Sequence, residues 1–257
     1  MFSPQTEWTP PDELKDLSQA KQIAIDLETR DPNLTTRGSG SVRGDGEIVG
    51  IAVAVEGWQG YFPIAHEGGG NIDKKVVMDW FQDVLKTPAT KIFHNAMYDV
   101  SWIRAVGLKI EGKIIDTMIA GSLVNENRMR YNLDSLAREY VGMGKNEKLL
   151  FEAAKEWGVN PKKEMWRLPA MHVGEYAEQD AVATLKLWER LQQEITAQDL
   201  WDIFNTETEL FPCLVDMKFQ GVRVDLEKAH QVKKMLSQQE KTHLQKIKKD
   251  TGIDVEI

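Results

Sequence analysis

KQIAIDLETR, residues 21–30, sets two carboxylates, Asp26 and Glu28, at the end of an apolar run, Ile23, Ala24 and Ile25. In an extended strand residues i and i+2 project from one face, so the two side chains converge on one spot. Like charges that close call for a compensating cation, and carboxylate oxygens suit hard divalent ions such as Mg2+ or Mn2+. The competing reading is a solvated strand edge, because an Asp-x-Glu triplet often arises by chance.

Working outward, residues 1–20 carry Pro4, Pro10 and Pro11 and read as an extended arm leading to a short helix near residue 12. After the strand comes RDPNLTTRGSGSVRGDGE (30–47), rich in Gly and Ser, with Arg30, Arg37 and Arg43. Two readings stand side by side: a flexible surface connection, or a mobile basic lip that holds a phosphate backbone beside the carboxylates. IVGIAVAVE (48–56) and GYFPI (60–64) read as strands joined by a hairpin through Gly57 and Trp58. DKKVVMDWFQDVLK (73–86) has helical spacing with Asp73 as its cap. KIFHN (91–95) is a strand that feeds a helix from about Met97 to Val106, with Asp99 in its first turns. KIIDT (113–117) repeats the pattern, with Asp116 as an N-cap. An opening antiparallel hairpin followed by strand-helix crossovers predicts an α/β fold, a mixed sheet flanked by helices.

RMRYNLDSLAREYVG (128–142) places Leu133, Leu136, Ala137 and Tyr140 on one helix face closed by Gly142. Arg128 and Arg130 precede it, facing either a phosphate or solvent. GKNEKLLFEAAKEWGVNPKKEMWRLPA (144–170) is a helix ending near Gly158, then a Lys-rich loop with Trp166. Basic and aromatic residues interleaved in this way suit single-stranded nucleic acid, although Phe151 and Trp157 read as core. VGEYAEQDAVATLKLWERLQQEI (173–195) is a strong helix that brings Tyr176 and Asp180, four residues apart, to one face. DLEKAHQVKKMLSQQEKTHLQKIKKDTG (225–252) reads as one long amphipathic helix capped by Asp225 and ended by Gly252. Its stripe from Leu226 to Ile247 is expected to pack on the domain edge, pair with another copy or fray.

The chain has 257 residues, 42% of them hydrophobic, which is enough for one large domain or a medium domain with an appendage. No apolar run approaches the roughly 18–20 residues of a membrane span, and the first residues lack a secretory signal pattern, so a soluble intracellular protein with no membrane partner is expected. The single cysteine, Cys213, excludes an intramolecular disulfide and reads as a core residue. A net charge of −8 argues against a broad electrostatic grip on nucleic acid, but it allows a local basic track or a metal-bridged phosphate.

Asp26-x-Glu28, Asn95-x-x-Tyr98-Asp99 and Tyr176-x-x-x-Asp180, in that order, resemble the three motifs of the DEDDy group of 3′-5′ exonucleases. The resemblance extends to the editing domain of family A DNA polymerases through IIDTMIAGSLVNEN (114–127) and RYNLDSLAREYVG (130–142). ETELFPCLVDMKFQGVRVD (207–225) resembles the start of the adjoining polymerase region. The resemblance implies a ribonuclease H-like mixed sheet, with an arm at 1–20, an exonuclease domain at 21–204 and a helical extension at 205–257 like the start of a polymerase thumb. It further implies hydrolysis of DNA from a single-stranded or frayed 3′ end, releasing nucleoside 5′-monophosphates, as the proofreading part of a polymerase or as a free-standing relative. A polymerase domain is then a partner in the full-length protein, and no polymerase activity is expected of this chain.

By the same resemblance, Asp26, Glu28, Asp99 and Asp180 hold two divalent ions, Mg2+ or Mn2+, and Tyr176 orients the attacking water. Thr29, Leu34, Asn95 and Arg130 contact the terminal nucleotides. Two alternatives remain: a ribonuclease D-like enzyme that trims RNA, and an inactive module that binds nucleic acid. A nucleotide-binding metabolic enzyme does not fit, because GSGSVRGDG leads to a strand and not to a helix.

Overall fold

The computed structural model describes residues 6–144 and 146–255. The chain runs through β1 (Gln22–Arg30), two helical turns α1 (Leu34–Arg37) and α2 (Gly40–Arg43), and the hairpin β2 (Glu47–Val55) and β3 (Trp58–Pro63). Then follow α3 (Lys74–Lys86), β4 (Thr90–Phe93), α4 (Ala96–Ala105), β5 (Ile114–Asp116), α5 (Thr117–Val124), α6 (Leu133–Val141) and α7 (Lys148–Trp157). Two 3-10 turns, Met165–Arg167 and Ala170–His172, lead into α8 (Gly174–Ala197), α9 (Trp201–Gln220) and α10 (Leu226–Thr251). The sheet order is β3-β2-β1-β4-β5, antiparallel from β3 to β1 and parallel from β1 to β5. This is the expected α/β mixed sheet flanked by helices.

The two faces of the sheet differ in side-chain size. Ala24, Asp26 and Glu28 of β1 lie opposite Ala54, Ala52 and Gly50 of β2, and Ala52 in turn pairs with Tyr61 of β3. These alanines share one buried cluster with Ala177, Ala181, Leu185 and Trp188 of α8, so small residues on both sides let the helix lie close to the strands. The other face carries Ile23, Ile25, Leu27, Ile51, Val53 and Phe62, and α3 covers it with the Trp80 ring 4.4 Å from that of Phe62.

Capping follows the sequence. Asp73 accepts from Val76 N at 2.9 Å, Asp116 from Met118 N at 2.8 Å and Asp225 from Lys228 N at 3.0 Å. Gly142, Gly158 and Gly252 end α6, α7 and α10 in the left-handed conformation that glycine adopts without steric cost.

Several expectations are corrected. Residues 6–20 contain no helix near residue 12: Pro10 and Pro11 withhold two donors, and the segment lies along the domain with only short local turns of its own. Leu17 is buried, Lys15 O accepts from Trp80 Nε1 at 2.8 Å, and Lys21 O accepts from Thr90 N at 2.9 Å. The 30–47 stretch is internally bonded. Asp31 accepts from Gly40 N at 3.0 Å, and Arg43 is committed to Asp45 at 2.5 Å. Phe151 and Trp157 are 43% and 45% exposed, because α7 buries Leu150, Ala153 and Ala154 instead. Cys213 is exposed, since Phe211 and Val215 form the buried face of α9.

The expected division after residue 204 falls inside α9, and the chain divides into compact units ending at Lys218 and beginning at Phe219. Lys218 Nζ donates to Ser101 Oγ on α4 at 3.1 Å. The second unit contains α10, 26 residues or about 39 Å long, and among the described residues no other helix of that unit covers its apolar stripe. No helix among the described residues is long and apolar enough to cross a membrane.

Candidate active site

β1 pairs with β4 only from Gln22 to Ala24, so past that point one edge of β1 is open. Asp99 fills the opening. From the start of α4 its Oδ1 accepts the backbone N–H of Leu27 at 3.0 Å. On the other edge the register slips between Glu28 and Thr29, a bulge of the kind that re-aims side chains near active sites.

The position of α4 is set by Asp116 at the end of β5. Its carboxylate accepts from Asn95 N at 3.0 Å and Ala96 N at 2.8 Å as well as from Met118 N, so one side chain caps two helices. Asn95, at φ 64°, takes the left-handed turn into α4 that asparagine tolerates better than most residues.

Electrostatics tie the separate motifs together. Asp99 is 4% exposed, and its carboxyl is pushed well above its ordinary range, first by burial and then by the charge of Asp26, against the pull of the Leu27 N–H. The Tyr176 phenol is raised by burial, then by Asp180, Glu28 and Asp26, and its hydroxyl is hydrogen-bonded to Asp180. Asp26, Glu28, Asp99, Tyr176 and Asp180 therefore share one electrostatic neighbourhood. Among the described residues no three His, Cys, Asp or Glu side chains stand at metal-cluster spacing. The donor chemistry nonetheless fits a hard divalent ion, since all four charged groups offer carboxylate oxygens.

A cleft of about 270 Å³ opens beside them, lined by Glu28, Thr29, Leu34, Tyr98 and Tyr176 together with Lys162 and Lys163. Thr29 Oγ1 and Tyr98 OH lie 2.6 Å apart, and burial pushes the Tyr98 phenol up to about 12. Thr29 and Leu34 thus stand where a terminal nucleotide could be contacted, whereas Asn95 and Arg130 do not line this cleft. Arg130 is exposed, and Arg128 is paired with Glu139. Tyr98 appeared only as a motif position and the two lysines only as part of a basic loop, and none of them was assigned a contact from sequence. The signals were present: Tyr98 directly precedes Asp99, and Lys162-Lys163 follow Pro161 in the basic loop.

A mixed five-stranded sheet with carboxylates at the end of β1 and on two helices defines the ribonuclease H-like exonuclease class. The fold matches the POL domain of Pol1 from M. smegmatis, solved with DNA primer-template and dNTP, with a TM-score of 0.62 at 17% identity over 93% of this chain and 35% of that one. It also matches Escherichia coli RNase D, with a TM-score of 0.53 at 18% identity over 80% of this chain and 47% of that one. More particularly, a family model described as 3′-5′ exonuclease matches residues 2–196, and the chain belongs to that family. A DNA-directed DNA polymerase of Pseudomonas phage M6 is 36% identical over 96% of this chain and 38% of its own length. The chain spans about a third of the length of the first curated relatives it matches.

Proposed function

We propose that the chain removes nucleotides from the 3′ end of DNA by phosphodiester hydrolysis, releasing nucleoside 5′-monophosphates. The observation that carries this is the convergence of Asp26, Glu28 and Asp180 on the Tyr176 phenol, with Asp99 docked beside them on the β1 backbone.

In this reading Asp26, Glu28, Asp99 and Asp180 hold two divalent ions, Mg2+ or Mn2+. Bound there, such ions neutralise phosphate oxygens and lower the pKa of water. The protein's own part is positioning. Tyr176 stays protonated because burial and three carboxylates hold its phenol up, so it orients the attacking water through its hydroxyl and does not act as a base. Thr29, Leu34 and Tyr98 wall the terminal nucleotide, and Lys163 faces its phosphates beside Lys162, whose ammonium is paired with Glu147. Asn95 and Arg130 are assigned to contacts further along the strand. A single-stranded or frayed end is the better substrate, because a paired terminus must first unpair at a cost of a few kcal/mol.

DNA is preferred over RNA as substrate because the polymerase relative is 36% identical, against 18% for RNase D. An inactive binding module is disfavoured, since four carboxylates clustered where phosphate must approach would weaken binding. The natural context proposed is the editing part of a DNA polymerase, with no nucleotide incorporation by this chain itself.

The test uses the purified chain with 5′-labelled single-stranded DNA, a matched RNA oligonucleotide, and Mg2+ or Mn2+ followed by chelator. A ladder of stepwise shortening on DNA that stops with chelator is expected. An intact DNA band in both metals overturns the proposal, and faster shortening of RNA moves it to the ribonuclease D-like alternative.

A further inference from the structure

The first turns of α8, which carry Tyr176 and Asp180, are held from outside the cleft. Glu178 lies two residues from each, and at 100° per residue it points about 160° away from both. Its Oε1 accepts two hydrogen bonds, from Trp8 Nε1 at 2.9 Å and from the backbone N–H of Tyr61 at 3.1 Å. β3 is an edge strand, so this carboxylate takes the place of a neighbouring strand at Tyr61.

Trp8 belongs to the N-terminal arm. Its indole packs directly on the backbone of Gly174, where an added Cβ would stand 2.0 Å from the ring, and its centroid lies 6.0 Å from that of Tyr61. Further along the arm, Pro11 Cγ would stand 3.0 Å from a Cβ on Gly60. A third tie fixes the segment that enters α8. Tyr61 OH and His66 Nε2 are 2.6 Å apart, His66 Nδ1 lies 3.0 Å from Leu168 O, and Ala170 N donates to Gly69 O at 3.0 Å.

We infer that Trp8 and Glu178 are positioning residues: by anchoring the back of α8 to the arm and the sheet edge, they set the rotation of the helix about its axis and so the placement of Tyr176 and Asp180. This rests on the exonuclease reading above. The N-terminal arm is then a working part of the site, although none of its described residues lines the cleft.

The test compares Glu178→Ala, Glu178→Gln and Trp8→Phe in the full chain, each also combined with Tyr176→Phe. Initial rates on 5′-labelled single-stranded DNA with Mg2+ are measured well below the Tm of each variant. Glu178→Ala is expected to lower kcat about tenfold and leave KM within about twofold, since a displacement of an ångström or less in a positioned group costs this much or more. Glu178→Gln should recover most of the rate, because its amide oxygen accepts the same two N–H groups. Trp8→Phe keeps an aromatic ring but loses the indole N–H, one of the two donors to Glu178, so its loss should be smaller; it carries the test if Glu178→Ala does not fold.

Tyr176→Phe should cost less in the Glu178→Ala background than alone, a non-additivity that a purely structural role does not produce. Wild-type kcat in Glu178→Ala, equal damage from Ala and Gln, or strictly multiplicative effects with Tyr176→Phe would each overturn the inference. An active parent with insensitive variants sinks only this inference, whereas a parent without hydrolysis sinks it together with the exonuclease reading.

Discussion

Asp99 and the Tyr176–Asp180 pair reach one electrostatic neighbourhood by different routes. Asp99 is placed by its near surroundings: β1 runs free of β4 after Ala24, the Leu27 N–H that β4 does not reach finds the Asp99 carboxylate, and Asp116 pins the turn that starts α4. Tyr176 and Asp180 ride on a helix whose entry is tied to Trp8, 170 positions from its partner Glu178, and to the 66–71 loop. One half of the site is therefore built into the sheet, while the other is suspended from it. The difference teaches that damage should spread unequally: the sheet-built half should fail with global stability, and the suspended half should lose rate before it loses stability.

The largest expected effect bears on both halves. Asp26 presses on Asp99 and on Tyr176, so Asp26→Ala should bring hydrolysis below detection while thermal melting stays unchanged or rises. Residual activity with a lowered Tm would reverse that assignment.

Next comes truncation. Ending the chain after residue 220 should leave melting and hydrolysis near their original level, whereas ending it at 204 strips Phe211 and Val215 from α9 and removes the Lys218 tie to α4. The longer deletion should cost roughly 3–6 kcal/mol in urea unfolding. Equal behaviour of the two truncations would return the boundary to residue 204.

Asp116→Ala tests the sheet-built route alone. It leaves three backbone N–H groups without their acceptor, for roughly 3 kcal/mol by denaturant titration, with hydrolysis falling in step. Stability lost without any fall in the folded-state rate would show that Asp99 keeps its place without this cap.

The smallest effect concerns the suspended route and depends on pH. Burial lowers His66 from 6.5 to about 4, so it is neutral in the fold. An imidazole with a depressed folded pKa contributes stability that is fully present above pH 6.5 and is lost as pH falls towards 4, because the unfolded chain binds the proton more readily. A decline of about 2 kcal/mol between pH 7 and pH 5 is expected in urea titrations, and His66→Gln should flatten it. An unchanged slope in that variant would place the titrating group elsewhere.

The elements that carry both halves were legible in the sequence. Apolar runs, alternation and caps are local signals, and they located β1, the hairpin, α4 with Asp99, the Asp116 cap and the helix bearing Tyr176 and Asp180 to within a few residues. What stayed hidden depends on partners distant in sequence. Nothing in TEWTPP announces that Trp8 will find Gly174, and prolines read as an arm do not say what the arm covers. Helical periodicity names an apolar face but not its depth, which is why Phe151, Trp157 and Cys213 were read as core although they lie outside the buried stripes of α7 and α9. The register slip after Glu28 also left no mark, since a bulge is decided by two strands together.

Gly50 lies opposite Glu28 in the sheet, and a Cβ added there would fall 2.0 Å from the Tyr61 hydroxyl. Positions 50 and 61 thus compete for one volume. Among relatives the two should change as a pair, with any side chain at 50 accompanied by the loss of the phenol at 61, and with it the hydroxyl on which His66 rests. In evolutionary terms a glycine that offers no side chain to the chemistry fixes which residues its neighbours can accept.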